Sequence, residues 1–342
     1  MTQGTPGMKA AERWRRRARR HHWVSGGLAV VLLGAVLLGL GLGPVSLSWG
    51  QVLAALVGTG ADPVASAVVW ELRLPRLLAA LLAGWGLALS GASLQVMLRN
   101  PLASPFTLGV AQGAAFGAAA AITLVGQGVW VGVAAFAGAL AVSGAVLLLA
   151  RARAMTPEAL ILAGVALAAV ANAGTMLIQY FADELAVASI VFWTFGDAGR
   201  ASWGDVWLML AAVVPFTAWL VFYRWTLDAL GAGDQVAASL GVKVERLRAL
   251  GVGLAALVAA LVVARLGVIG FVGLVAPHAV RRLTGDAHAT LIPQAALVGA
   301  LLLVLADTAA RTALSPVLLP VGILTALIGA PVFLALLGGR GR

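Results

Sequence analysis

Apolar runs of about 20 residues recur along this chain, and that repetition constrains its fold more than any single motif does. Such a run is the length an α-helix needs to cross the hydrocarbon core of a bilayer. The runs fall at 24–43, 75–97, 106–125, 129–150, 158–181, 204–223, 249–265, 267–283, 291–309 and 318–337. They predict an all-α integral membrane protein with ten transmembrane helices. A basic tail over 1–23 precedes a ten-helix domain over 24–342.

Composition agrees. Apolar residues make up 61% of the 342 and charged residues 11%, whereas soluble domains hold about 45–50% and about 25%. Mean hydropathy is +1.00. The 42 glycines suit helices that associate through small residues, because lipid supplies no hydrophobic drive between them. With no cysteine in the chain, a disulfide framework, a thiolate metal site and a cysteine nucleophile are all excluded.

The net charge of +10 is placed for topology rather than for nucleic acid. Seven of the 23 basic residues lie in the first 20 positions, and the rest fall at the ends of apolar runs. With the N-terminus inside and ten spans threaded, only Arg73, Arg76, Arg200, Arg265 and Arg311 face outward. That inside excess puts both ends in the cytoplasm. The first run, 20 residues long with no A-x-A-like site after it, is too long for a signal-peptide core.

Two connections are longer than a turn. The outer segment 43–74 is expected to include a short surface helix. The inner segment 225–248, "WTLDALGAGDQVAASLGVKVERLR", is polar and punctuated by glycine. It reads as one or two short cytoplasmic helices. Its "GDQVAASLG" is framed by Gly233, Asp234 and Gly241, with Val236, Ala237 and Leu240 on one face. An apolar face on a cytoplasmic helix suits a partner's groove or the protein's own bundle.

Enzymatic signatures are missing. No G-x-x-x-x-G-K-[ST] is present, so the chain cannot cradle a nucleotide by that route. The four histidines do not cluster with carboxylates at ligand spacing, and no Ser/His/Asp constellation stands out. Two breaks interrupt the apolar pattern: "RNPLASP" at 99–105 and "APHAVRR" at 276–282. Prolines there free backbone groups that protein or water must satisfy. The first break suits either a protein-buried turn near the cytoplasmic face or an ordinary loop. In the fifth run Asn172, Thr175, Met176 and Gln179 recur on one helical face. Such a face serves interhelical hydrogen bonding or lines a water-filled route.

Six segments, in order, carry a family resemblance. They are "LRLPRLLAALLAGWGLALSGASLQVMLRNPLASPFTLGV" (72–110), "LILAGVAL" (160–167), "GDQVAASLGV" (233–242), "GFVGLVAPHAVRRL" (270–283), the loose "LLLADTAAR"-like 303–311 and "LPVGILTALIGAPVF" (319–333). Together they resemble the FecCD/BtuC-type permeases, membrane subunits of ATP-driven importers for ferric siderophores, haem and cobalamin. The resemblance covers nearly the whole chain.

It implies the ten-helix type II importer fold in the inner membrane. A second copy of the chain and two cytoplasmic ATPase subunits would be its partners. A periplasmic or lipid-anchored binding protein would deliver the cargo. ATP and Mg would be used by the ATPase subunits, with no cofactor on this chain and no nucleic-acid partner. Residue by residue, the resemblance implies that Arg73, Arg76 and Arg311 meet binding-protein carboxylates. Residues 227–248 would couple to the ATPases, through Gly233, Asp234, Val236, Ala237, Leu240 and Gly241. The fifth helix would line the pathway with Asn172, Thr175, Met176 and Gln179. Thr156, Pro157 and Glu158 would form the cytoplasmic gate. This "MTPEAL" departs from the small hydroxyl residues usual at that gate, and "SPFTLGV" departs from the usual "DPGLLGI"-like form. Ferric siderophore, the family's commonest cargo, is the expected one. An ion-driven secondary transporter is the contrasting class, but it wants carboxylates within the spans. Here Asp205 and Asp307 lie at outer ends and Glu158 at an inner end.

Overall fold

The computed structural model describes residues 6–59, 62–314 and 317–338. Residues 1–5 of the expected tail and 339–342 of the expected domain lie outside the described residues. All regular structure among the described residues is helical. The chain runs through α1 (Pro6–Gly41), α2 (Trp49–Val57), α3 (Pro63–Ala67), α4 (Leu74–Met97), α5 (Val110–Leu124), α6 (Val129–Arg151), α7 (Pro157–Phe181), α8 (Glu184–Thr194), α9 (Trp203–Phe222), α10 (Arg224–Ala232), α11 (Asp234–Ser239), α12 (Val244–Leu266), α13 (Val272–Thr284), α14 (His288–Thr312) and α15 (Val321–Gly338). Among the described residues, seven segments are long and apolar enough to cross a membrane: Arg20–Gly41, Pro63–Met97, Val129–Arg151, Pro157–Phe181, Trp203–Phe222, Val244–Leu266 and His288–Thr312. Shorter apolar helices occupy Val110–Leu124, Glu184–Thr194 and Val321–Leu336.

Local chemistry sets the starts. Ser48 and Gln51 form a reciprocal capping box on α2, so two orphan donors are met. Thr156 caps α7 and Pro157 takes its first position, where a missing N–H costs nothing. Ser202 and Asp205 cap α9 in the same reciprocal way. Helix α2 and the pair α10 and α11 occupy the two long connections.

Three elements depart from expectation. The second span begins well before residue 75. A π turn at Val68–Arg73 joins α3 to α4 without a break, widening the backbone where the Pro75 ring would strike the preceding turn. The eighth span does not fill 267–283. Residues 267–271 are non-helical, and Gly267 and Phe271 both have positive φ. They pack on residues 196 and 322: a Cβ at Gly196 would lie 2.3 Å from the Val268 carbonyl oxygen, and one at Gly322 would lie 2.6 Å from it. Irregular backbone at membrane depth is tolerated where protein covers it in this way. The third departure is α8, which stands in what was expected to be an outer loop.

α4 lies at the centre, buried around most of its circumference and packed on α14, α12, α13 and α9. Glycine permits the close crossings. A Cβ at Gly84 would lie 2.2 Å from the Gly299 carbonyl oxygen on α14, and one at Gly91 would lie 1.8 Å from that of Gly273 on α13.

Candidate translocation and coupling site

The three outer arginines are interior groups. The side chains of Arg73 and Arg311 fold onto the C-terminal end of α1, whose last carbonyls have no helical partners. Arg73 donates to the carbonyls of Leu40, Gly41 and Val45. Arg311 donates to those of Gly39 (3.0 Å) and Leu42 (3.2 Å). Asp307 is fully buried and takes Arg76 at 2.8 Å and Arg311 at 3.2 Å. Arg76 also reaches Asp197 at 3.4 Å. A buried cation persists only when its donors are met, and here carbonyls and carboxylates of the same chain meet them. Arg73, Arg76 and Arg311 are only 4, 9 and 3% exposed. They fasten α1, α4 and α14 together at one end of the bundle.

α7 is held along a narrow stripe. Leu160, Gly164, Ala171 and Thr175 are its buried residues, facing α5, α6 and the 3₁₀ turn at Pro105–Leu108. Asn172 and Met176 are exposed and Gln179 is half-buried. Thr175 is on the inner side, its hydroxyl donating to the Ala171 carbonyl at 3.0 Å. Three of the four expected pathway residues thus lie on the free face, and Thr175 is removed from it. Val170 and Leu177 are exposed as well, so the free face is wider than one polar line.

The link ahead of α7 contains two non-glycine residues in the left-handed region, Ala154 (φ 51°) and Met155 (φ 54°). L-residues adopt that region when their surroundings hold them there. The Met155 side chain is buried, and its N–H donates to the Ala150 carbonyl at 2.9 Å. Thr156 Oγ1 accepts from the Ala159 N–H (3.3 Å). Glu158 is exposed in the first turn of α7, where the helix dipole favours an anion. The "TPE" variant is thus a helix start. Leu98, Arg99, Thr156, Pro157, Glu158 and Asp234 line one cleft of about 390 Å³.

The coupling segment meets the bundle at that cleft. Gly233 (φ 130°) separates α10 from α11, and Gly241 (φ 83°) follows α11; both backbones favour glycine. Ala237 is fully buried, whereas Val236 and Leu240 are 45 and 69% exposed. Val236 and Leu240 therefore remain available to a partner, while Ala237 fixes α11 to its own bundle. Asp234 pairs with Arg248 at 2.8 Å.

The "RNPLASP" break is a turn with Arg99, Pro101 and Leu102 exposed and Ala103, Ser104 and Pro105 buried. Arg99 has φ 46°, and the Asn100 side chain accepts from the Leu102 N–H (2.9 Å). Ala103, Ser104 and Leu108 are buried. Among the described residues no group of three or more His, Asp or Glu gathers as a metal site.

A many-helix membrane bundle with one loosely held polar-bearing helix, a strained link before it and a half-exposed inner segment defines a multi-pass transport permease. The comparisons place it further. Residues 31–338 match the model of the FecCD transport family, and the chain belongs to that family. The ABC transporter permease protein MJ0087 of Methanocaldococcus jannaschii is 48% identical over 91% of this chain and 92% of its own. The Fe(3+)-citrate import system permease protein YfmE of Bacillus subtilis is 39% identical, over 92% of this chain and 94% of its own. The vitamin B12 import system permease protein BtuC of Escherichia coli is also 39% identical, with the same coverage of both chains. A metal-chelate type ABC transporter, solved facing inward, superposes with a TM-score of 0.82 and 34% identity. That match covers 93% of this chain and 99% of the other. The fold is that of a BtuC-like ABC importer permease.

Proposed function

We propose that this chain is the membrane subunit through which an ATP-driven importer passes a metal chelate, with ferric siderophore as the cargo. The carrying observation is the likeness along nearly the full length to a metal-chelate ABC transporter, together with relatives named for iron-citrate and vitamin B12 import. Two copies bring the free faces of α7 together, so that Asn172, Met176 and Gln179 line a mildly polar route. Conduction needs contacts weak enough to release the cargo, and a periplasmic or lipid-anchored binding protein supplies affinity elsewhere. Two ATPase subunits, using ATP and Mg, dock on α11 through Val236 and Leu240. Their movement reaches the gate at Thr156, Pro157 and Glu158. Both termini lie in the cytoplasm, and the membrane is the inner one.

The test is reconstitution with the ATPase and binding-protein subunits, then measurement of ATP hydrolysis with ferrichrome, ferric citrate, haem and cyanocobalamin. Stimulation by ferrichrome above the other three supports the reading. Stimulation by haem or cyanocobalamin alone reassigns the cargo. Import driven by an ion gradient without ATP refutes the class.

A further inference from the structure

Arg248, in the second turn of α12, is 2% exposed. None of the roles above requires it. Its donors reach three segments that are far apart in sequence. Nε donates to the Met97 carbonyl at the end of α4 (2.8 Å). Nη1 donates to the Met155 carbonyl in the link before α7 (3.1 Å). Nη2 donates to both Asp234 oxygens at the start of α11 (2.8 and 2.9 Å).

The placement has mechanical content. The guanidinium is planar, so its donors leave in fixed directions and bind its three partners to one geometry. Two of those partners adjoin left-handed backbone: Met155 itself, and Arg99 two residues after Met97. Such conformations persist only while neighbours over-determine them. The third partner, Asp234, has a side chain 36% exposed and borders the cleft with Thr156 and Glu158. A shift of α11 must therefore either carry the Arg248 head group along or strip a buried cation of its only carboxylate. Uncompensated burial of charge is strongly unfavourable, so the head group and the Met155 carbonyl follow.

We infer that Arg248 is a positioning residue that transmits movement of α11 to the 152–156 link. The inference rests on the proposed docking of ATPase subunits at α11. It makes the strained link, rather than α7 itself, the element that the ATPases act upon.

The chain lacks cysteine, so Arg153→Cys introduces the chain's single thiol, within the link. The complex with its ATPase subunits is labelled with a water-soluble maleimide, nucleotide-free and trapped with Mg-ATP and vanadate, and the modified peptide is quantified by mass spectrometry. Trapping changes the labelling rate in the parent complex. With Arg248→Gln or Arg248→Lys the change falls away, while the ATPase subunits stay bound and still hydrolyse ATP. A purely structural role would reduce assembly and hydrolysis together. A full nucleotide-dependent change in either variant, or none in the parent, overturns the inference.

If Arg248→Gln fails to fold, Arg248→Lys decides, because it keeps the buried charge but lacks the planar fork that holds three partners at once. If no ATPase subunit binds, the proposed function has failed, and hydrogen exchange of the isolated permease still tests the connection. Asp234→Asn should then raise exchange at residues 153–156 by about tenfold, the signature of a link that opens locally. Unchanged exchange overturns the connection.

Discussion

Replacing Gly91 by alanine tests the central packing of the bundle. The added methyl would stand 1.8 Å from the Gly273 oxygen, 2.5 Å from its carbonyl carbon and 2.7 Å from its Cα. All three are backbone atoms, so no side chain can rotate away. Ordinary carbon–oxygen contact needs roughly 1.5 Å more, and α13 must withdraw by about that distance. Overpacking of this kind costs about 1–3 kcal/mol, occasionally more, and a glycine contact on backbone belongs at the upper end. Alanine returns about 1 kcal/mol of helix propensity. The net loss is about 2 kcal/mol, a fall of roughly thirtyfold in the folded-to-unfolded ratio. Gly144 is the control, because nothing lies within 4 Å of its added Cβ. Gly144→Ala should gain about 0.5–1 kcal/mol. The assay is reversible unfolding of the purified permease in mixed micelles, following helicity against the mole fraction of SDS. If the two variants shift in the same direction, or Gly91→Ala matches the parent, the reasoning is wrong.

Asp307→Asn removes the carboxylate that Arg76 and Arg311 share, and should cost about 3–5 kcal/mol in the same assay; a loss below about 1 kcal/mol would mean that Asp197 and the α1 carbonyls suffice for Arg76 and Arg311 respectively. Thr156→Ala deletes the cap of α7 and should cost about 1 kcal/mol, read as a lower unfolding midpoint. Leu240→Asp should leave stability within about 0.5 kcal/mol while the ATPase subunits no longer co-purify. Single substitutions Asn172→Cys and Met176→Cys should react with a water-soluble thiol reagent, whereas Ala171→Cys and Thr175→Cys should not; equal reaction at all four would mean that α7 is not held along its buried stripe.

Elements governed by local rules were legible in the sequence. Ser48 with Gln51 marks α2, and Gly233 and Gly241 bracket α11, because caps and glycine turns depend on neighbours in the chain. The missed helix α8 carried a signal of the same kind: Asp183 accepts from the Ala186 N–H (2.7 Å) ahead of an acidic first turn and an apolar run. Features that depend on distant partners stayed hidden. Arg76 reads as an outer cation until Asp307, 231 positions later, accepts its bond. The non-helical residues 267–271 read as apolar span because residues 196 and 322, which pack against them, are far along the chain. The four-residue face of the fifth span was drawn from periodicity alone. Thr175 sits at its border, and packing against α5 and α6 takes it inward, a choice that a helical wheel does not contain.

The narrow seat of α7 separates two kinds of evolutionary freedom. Leu160, Gly164, Ala171 and Thr175 answer to the bundle, so changes there are felt by the fold. The wider free face answers to whatever passes or pairs beside it, and substitutions at such exposed positions cost a fold little. If the proposed route runs there, a lineage could exchange one cargo for another by small steps along Asn172, Met176 and Gln179. No step would need a compensating repair in the core.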